Sequence, residues 1–205
     1  MGRRSDHTAK ELRELLVGEG HALLAERGFA AFSAREAARR AGYSVGTIYN
    51  VFGSLDGYML AINSRTFGQW AAALEGALEG VAGEGTARLE ALVMAYFAFA
   101  EANRNLWMAI YDHRIDRAVD IPAQDVAARE ALTGIVDREV GAWFGPDADT
   151  AQVRPLVRSL IATVHGHCAL WLTGSYALMN EREPARQALA RVLEVLAANR
   201  LTAKH

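Results

Sequence analysis

The stretch "EAARRAGYSVGTIYNVFGS", residues 36 to 54, decides how the rest of the sequence is interpreted. It predicts two short helices separated by a turn of three residues that contains Gly42. Apolar residues of both helices are expected to pack together: Ala37, Ala38, Ala41, Val45, Ile48 and Phe52. A helix of barely two turns is not stable alone in water, because helix nucleation is costly. One side of the second helix is therefore held by packing, and its other side is free to contact a partner.

This layout is typical of a helix-turn-helix, whose second helix is offered to the major groove of DNA. Gly46 lacks a side chain at a point where a DNA backbone could approach. Thr47, Tyr49 and Asn50 supply a hydroxyl, a phenol and an amide, which suit phosphate or base-edge contacts. The alternative is an ordinary corner between two helices with these residues as a polar surface. Spacing alone does not separate the two interpretations.

Residues 10 to 60 resemble the N-terminal DNA-binding domain of the TetR family of transcriptional regulators. The resemblance rests on "ERGFAAFS" at 26–33 and on the stretch quoted above, whose Ala-Gly-x-Ser turn, Gly-Thr-Ile-Tyr and Phe52 followed by Ser54 agree in order and spacing. It implies an all-α protein with a three-helix helix-turn-helix domain at 1–60 and a larger helical ligand-binding and dimerisation domain at 61–205. It also implies which residues line the DNA surface: Ser33, Arg35, Ser44, Val45, Gly46, Thr47, Tyr49 and Asn50. Ile48 and Phe52 are expected to be core.

The sequence departs from the family pattern at three positions. The family usually has a larger aliphatic residue at Ala37, His at Val51 and Lys at Leu55. That Lys commonly contacts a DNA phosphate from the start of the fourth helix. We expect Arg35, Arg39 or the free N–H groups after Ser54 to compensate for it.

Helical periodicity covers the rest of the chain, and no stretch alternates convincingly enough for a strand, so the fold class is all-α. Besides the two short helices at 34–41 and 45–51, helices are predicted at 8–27, 56–79, 86–102, 105–113, 123–144, 151–179 and 184–200. Ser33 with Glu36 fits a capping box, in which each residue satisfies a backbone N–H of the other. Ser44 and Ser54 are expected to cap the third and fourth helices.

Composition is that of an ordinary soluble protein of 205 residues, with a formal net charge of −2. Residues 1–65 hold nine Lys or Arg against seven Asp or Glu, whereas the remainder holds 13 against 17. A mildly basic N-terminal part permits polyanion binding without demonstrating it. The longest apolar run, residues 91–100, is about half of the roughly 20 residues needed to span a bilayer. We therefore expect a cytoplasmic protein without a membrane partner.

The predicted helix at 151–179 contains "LIATVHGHCALWLTGSY", which is apolar on more than one face. Gly166 and Gly174 would allow another helix to approach closely, so this helix and the last one are predicted to form the two-fold interface of a homodimer. "HGHC" also suggests a metal site, but residues two apart on a helix diverge and cannot bind one ion together. No metal site and no cofactor are predicted.

Five aromatic or imidazole side chains are candidates for an apolar ligand cavity: Trp70, Trp107, Tyr111, His167 and Trp171. The leading hypothesis is a ligand-responsive regulator, in this family more often a repressor, that binds a palindromic operator as a homodimer. The alternatives are a DNA-binding protein without effector response, and a helical small-molecule-binding protein or enzyme. The sequence has no nucleophile elbow, paired metal motif or phosphate-binding glycine loop, so no catalytic residue is predicted and an enzyme is not expected.

Overall fold

The computed structural model describes residues 7–83, 85–114, 121–145 and 150–202. Regular structure within these ranges is helical and includes no strand, which confirms the all-α prediction. A short 3₁₀ helix, Phe29–Ala31, accompanies ten α-helices: α1 Ala9–Arg27, α2 Ala34–Arg40, α3 Val45–Phe52, α4 Leu55–Leu78, α5 Thr86–Ala102, α6 Arg104–Asp112, α7 Ala123–Phe144, α8 Thr150–Leu172, α9 Ser175–Leu178 and α10 Pro184–Thr202. No helix of this described part is long and apolar enough to cross a membrane.

The chain divides into two compact units. The first unit comprises Met1–Gly68 and Asn103–Arg129, and the second comprises Gln69–Ala102 and Glu130–His205. Helix α6 therefore belongs to the same unit as α1, α2 and α3. The Asn105 Nδ2 group at its start donates a hydrogen bond of 2.7 Å to the carbonyl of Ala25 on α1. The division of function expected at residue 60 stays a prediction.

The core of the first unit joins the N-terminal helices to α6 through buried apolar residues: Leu16, Leu23, Leu24, Ala37, Ala38, Ile48, Tyr58, Met59, Ile62, Leu106 and Ala109. Full burial of a leucine-sized side chain contributes about 1.5–3 kcal/mol. The Tyr58 hydroxyl donates a 2.6 Å hydrogen bond to the carbonyl of Leu16, so α4 is also attached to α1 by a buried polar contact. A Cβ atom on Gly20 would collide with the Tyr58 ring and hydroxyl. Glycine is therefore required where these two helices meet.

In the second unit, α8 packs against α10 and α5. One stripe of α8 is buried, at helical spacing: Val157, Leu160, Val164, Cys168 and Leu172. The single helix predicted at 151–179 is wrong, because α8 ends at Leu172 and a separate one-turn helix, α9, follows. Gly174 takes a left-handed conformation with φ of 81°, which suits a glycine after a helix and interrupts the α-helix there.

Candidate DNA-binding interface

Helix α2 begins at Ser33, whose hydroxyl accepts a 3.3 Å hydrogen bond from the N–H of Glu36. The reciprocal half of the predicted capping box is wrong, because the Glu36 carboxylate accepts hydrogen bonds from Arg39 at 2.7 and 2.8 Å and from Arg40 at 3.4 Å. Those hydrogen bonds, chiefly from Arg39, lower the pKa of Glu36 to about 2. A complete capping box is found instead between Thr8 and Glu11, at the start of α1.

The turn between α2 and α3 has a defined hydrogen-bond pattern. The N–H of Gly42 donates to the carbonyl of Arg39 at 3.1 Å, and the N–H of Tyr43 donates to the carbonyl of Ala38 at 2.9 Å. This pair of bonds is the Schellman motif, which ends a helix when the intervening residue is left-handed. Gly42 has the required φ of 82°. The turn therefore fixes where α3 begins.

One side of α3 is held by the core. Ile48 is fully buried in the same cluster as Ala37 and Ala38 of α2. Phe52 is half-buried and packs with its ring centroid 4.8 Å from that of Tyr58. The prediction that Ile48 and Phe52 belong to the core is confirmed, and the small residues of α2 explain how two short helices approach closely.

The serines that precede α3 and α4 differ. Ser54 caps α4 as predicted, since its hydroxyl accepts a 2.9 Å hydrogen bond from the N–H of Gly57. Ser44 occupies the N-cap position of α3, but its side chain makes no cap hydrogen bond, so its predicted capping role is wrong. Ser44 is exposed. Its hydroxyl is therefore available to a partner outside the chain.

We call the eight residues predicted to line the DNA the reading surface. Six of them are exposed: Ser33, Arg35, Ser44, Gly46, Tyr49 and Asn50. Val45 and Thr47 are half-buried, and the side chain of Tyr49 is 49% exposed although aromatic residues are usually more buried. The geometry leaves the Tyr49 phenol and the Asn50 amide exposed on α3, and the Ser44 hydroxyl exposed just before it. Their contact with DNA stays a prediction.

Gly46 is not required by packing inside the chain. A Cβ atom at this position would meet only the Ser44 Oγ within 4 Å, at an ordinary contact distance of 3.6 Å. Gly57, in contrast, has the carbonyl of Phe52 so close that a Cβ would collide with it. Core packing therefore does not require glycine at position 46, and the space beside it lies open on the reading surface.

The arginines of α2 differ in how their charge is used. Arg39 is paired with Glu36, and Arg40 donates two hydrogen bonds of 2.8 Å to Glu26. Arg35 makes no ion pair in the part of the chain that the structure describes, and it is exposed. Of the arginines on this helix, Arg35 is thus the one whose charge is not already balanced by a carboxylate.

Arg13 on α1 was not singled out by the sequence. Its guanidinium carbon lies 4.6 Å from the centroid of the Phe52 ring, at the end of α3. Leu55, three residues further on and 43% exposed, is the position where the resemblance leads us to expect Lys. Arg13 and Phe52 are far apart in sequence, so no local pattern could have indicated this contact. It places a cation beside the end of α3, which we call the recognition helix because it is the helix predicted to contact DNA.

The five residues predicted to line a ligand cavity are divided between the units. Trp107 and Tyr111 lie in the first unit, with ring centroids 5.0 Å apart. Trp70, His167 and Trp171 lie in the second unit. The Trp171 Nε1 group donates a 2.5 Å hydrogen bond to Glu101, and His167 Nδ1 lies 2.9 Å from the carbonyl of Thr163. A role in ligand binding stays a prediction for all five.

Trp70 is part of an aromatic cluster that sequence analysis only partly identified. Its ring is stacked on Phe99 at 5.3 Å and meets the edge of Tyr96 at 4.7 Å. The Tyr96 hydroxyl lies 3.1 Å from His165 Nδ1 on α8. His165 and His167 thus have different neighbours, and no group of three potential ligands suited to a metal ion occurs within the described ranges.

Comparison with known families agrees with this geometry. The family profile described as "Bacterial regulatory proteins, tetR family" matches residues 16–62. The profile described as "Tetracyclin repressor-like, C-terminal domain" matches residues 89–196, which is more than half of the chain. No match was found among curated proteins.

Solved structures show the same fold. A protein of unknown function from Rhodococcus sp. RHA1 is similar, with 24% identity, 97% of this chain and 98% of that chain covered, and a TM-score of 0.67. A tetR-family transcriptional regulator from Streptomyces coelicolor is also similar, with 21% identity, coverage of 96% and 85%, and a TM-score of 0.67. The transcriptional regulator FadR from Bacillus subtilis, in complex with stearoyl-CoA, has 15% identity, coverage of 89% and 96%, and a TM-score of 0.63. On the two family profiles, this chain belongs to the TetR family of DNA-binding transcriptional regulators, which are not enzymes.

Proposed function

We propose that this protein is a ligand-responsive repressor that binds a palindromic operator as a homodimer. The main observation in support of the proposal is how α3 packs. Ile48 is fully buried, whereas Tyr49 and Asn50 on the same helix are exposed. Packing fixes the helix, and its free side has the groups that read phosphates and bases. A regulator of this kind acts where the DNA is, so we expect it in the cytoplasm.

A palindromic site follows from the small size of one reading surface. A single helix contacts only a few bases, and each good contact discriminates by about 1–3 kcal/mol. Two copies related by a two-fold axis double the number of contacts. Their recognition helices must then match half-sites about one turn of DNA apart, near 34 Å.

The side of α8 that is not buried in the chain supports dimerisation. Three residues at helical spacing lie on that side, namely Ala162, Gly166 and Leu170. A Cβ atom at Gly166 would meet nothing within 4 Å, and Leu170 is 38% exposed. Val195 on α10 is equally exposed. Small and apolar residues exposed on α8, together with an exposed valine on the helix that packs against it, suit contact with a second copy.

Light scattering tests the assembly. We expect a dimer at micromolar concentration, and a monomer would contradict the proposal. Gly166→Leu should shift the equilibrium toward monomer if this face is the interface, because the added side chain fills space that the partner helix occupies. Ala162→Ser, a small change on the same face, is the matched control. Unchanged assembly in Gly166→Leu would move the interface elsewhere.

Fluorescence anisotropy with DNA from upstream of the protein's own gene tests the operator function. Tyr49→Phe removes a phenol that suits a phosphate, so affinity should fall similarly for all sequences. Asn50→Ala should instead relax the preference at one position of the half-site, because an amide discriminates between bases. Equal loss on operator and random DNA in both variants would show that Asn50 only positions the protein. A chain that does not prefer any upstream sequence would contradict the proposal.

Ligand response is supported by the fold. The similar structure of FadR contains stearoyl-CoA, so a chain with this fold accommodates a small-molecule ligand. Release of the operator by compounds from a library would support an effector. Operator binding that no compound changes would favour the alternative, a DNA-binding protein without effector response.

A further inference from the structure

Helix α6 contacts the chain on both sides of the helix-turn-helix, within the first unit. Asn105, in the first turn of α6, donates a 2.7 Å hydrogen bond from Nδ2 to the carbonyl of Ala25 in the last turn of α1. His113, at the other end of α6, has its Nε2 atom 2.9 Å from Asp56 Oδ1 in the first turn of α4. Helices α2 and α3 lie between these two partners in the sequence. One short helix therefore contacts the segments that lead into and out of α2 and α3.

Each of these two segments contains a glycine with a positive φ. Gly28 follows α1 with φ of 72°, and Gly53 follows α3 with φ of 77°. Because glycine has broad conformational freedom, contacts around it must fix the direction of the chain. Asn105 lies beside the first glycine, since a Cβ atom on Gly28 would meet its Oδ1 atom at 3.4 Å. His113 contacts the same segment, with its ring centroid 5.9 Å from that of Phe29.

The part of α6 between its two polar contacts is buried. Leu106 and Ala109 belong to the same core as Ile48 of α3. Burial of apolar surface is non-directional, whereas a hydrogen bond depends on distance and angle. The core therefore attaches α6 to the helix-turn-helix, and the contacts of Asn105 and His113 fix the orientation of the segments around it.

We infer that Asn105 and His113 are positioning residues, which hold α2 and α3 in the orientation that operator binding requires. Base contacts depend on how α3 enters the groove, whereas attraction between cations and phosphates carries no sequence information. Loss of either contact should therefore reduce sequence preference without removing a group of the reading surface. The inference rests on the proposed function, since it names the residues that orient this surface toward the operator.

Anisotropy titrations of full-length variants with operator and with random DNA test the inference. Asn105→Ala removes the donor from a contact that is open to water. His113→Phe keeps a ring beside Phe29 but has no donor for Asp56. In each variant, the ratio of operator affinity to random-DNA affinity should fall by about tenfold, which corresponds to the loss of one good base contact. Affinity for random DNA should stay the same, because no Lys or Arg is changed. Met108→Leu, a volume-conserving change on α6, is the control and should alter neither affinity.

A purely structural role gives a different result. A smaller folded fraction, which urea unfolding measures, lowers both affinities by the same factor and leaves their ratio unchanged, and this outcome overturns the inference. His113→Gln keeps a donor for Asp56 and should restore the ratio. A ratio as low as that of His113→Phe would remove His113 as a positioning residue. A lower ratio in only one of Asn105→Ala and His113→Phe would overturn the two-ended arrangement.

Amide hydrogen exchange of the DNA-free chain tests the same attachment without an operator. We expect faster exchange over residues 34–52 in Asn105→Ala and His113→Phe than in the wild type, because α2 and α3 are then held less firmly. Unchanged exchange in both variants overturns the inference whatever DNA the chain prefers. A wild-type chain without any sequence preference contradicts the proposed function instead. Faster exchange in its variants would still support the attachment of α2 and α3 by α6.

Discussion

His113 Nε2 lies 2.9 Å from Asp56 Oδ1, and this contact joins the end of α6 to the first turn of α4. The His113 side chain is 6% exposed, and its Nδ1 atom is buried without a partner. A proton on Nε2 can be donated to Asp56, whereas a proton on Nδ1 would have no acceptor. Asp56 also lies in the first turn of α4, where a carboxylate favours the helix dipole. The contact thus links a helix distant in sequence to the helix that follows the recognition helix.

Asp56→Ala should destabilise the chain by about 1–3 kcal/mol, because it leaves a buried N–H of His113 without an acceptor. Asp56→Asn keeps an acceptor at the same place and should lose less. Urea unfolding measures the difference, with the exposed Asp112→Ala as control. Equal stability of Asp56→Ala and the control would show that the contact contributes nothing.

His21 makes the stability depend on pH. Burial, and to a smaller extent the charge of Arg65, lower its pKa to about 4. The unfolded chain has a His pKa of about 6.5, so between these values the unfolded chain binds the proton preferentially. Above about pH 6.5, His21 therefore does not lower the free energy of unfolding. As the pH falls from about 6.5 toward 4, the free energy of unfolding decreases. At about 1.4 kcal/mol per pKa unit, the loss reaches about 3 kcal/mol.

Urea unfolding at pH 7 and pH 4.5 checks this expectation. His21→Phe, which cannot take up a proton, should lose less stability than the wild type over this interval. Carboxylates also titrate in this range, so the difference between the two chains is the measured quantity. His7→Gln, at an exposed histidine, should behave like the wild type. A loss in His21→Phe as large as in the wild type would contradict the assignment.

Arg35 and Arg39 provide a matched pair on α2. Arg35 has no ion-pair partner in the described chain, so Arg35→Ala should weaken binding uniformly across DNA sequences and reduce the slope against salt by about 1. Arg39 is already paired with Glu36, so Arg39→Ala should have a smaller effect on both quantities. Anisotropy titrations over a range of salt concentrations give affinity and slope together. The reverse order would show that DNA displaces Glu36 and uses Arg39.

Local signals in the sequence predicted most helices well. The bounds expected for α5 and α7 agree with Thr86–Ala102 and Ala123–Phe144. Apolar spacing, caps and breakers act within a few residues, so they are visible without tertiary structure. Gly174 shows the limit of such signals. A glycine within an apolar run is compatible with a continuous helix, and only the folded chain shows that this one is left-handed.

Contacts between residues that are far apart in the sequence could not be predicted from it. The resemblance indicated the reading surface, but not that Glu36 would accept hydrogen bonds from two arginines instead of completing a capping box. Ion pairs and caps compete for the same carboxylate, and a motif does not show which arrangement has the lower free energy. The proximity of Ser64 to Asp125 depends on the packing of α4 with α7, which no local pattern contains.

Effector and operator should oppose each other reciprocally. Helix α4 is continuous from Leu55, just after the recognition helix, to Leu78, and it includes Trp70. A ligand changes DNA affinity only if it prefers one conformation of the dimer, and the same coupling must then act in both directions. Titration of tryptophan fluorescence with an active compound, with and without operator, should give ligand affinities that differ by the factor by which the ligand weakens DNA binding. Equal ligand affinities in both titrations would contradict the coupling.

Gly46→Ala tests whether Gly46 is needed for DNA binding, because its expected effects on fold stability and on operator affinity are opposite. An added methyl group meets only Ser44 Oγ at 3.6 Å, and alanine favours a helix over glycine by about 1 kcal/mol, so the free chain should become slightly more stable. If the DNA backbone approaches α3 at this position, the same methyl group should weaken operator binding. Gly57→Ala, where a Cβ would collide with the carbonyl of Phe52, should instead destabilise the fold. Thermal unfolding and anisotropy are measured on both variants. A more stable Gly46→Ala chain with unchanged operator affinity would remove Gly46 from the reading surface, because nothing would then approach the helix at that point.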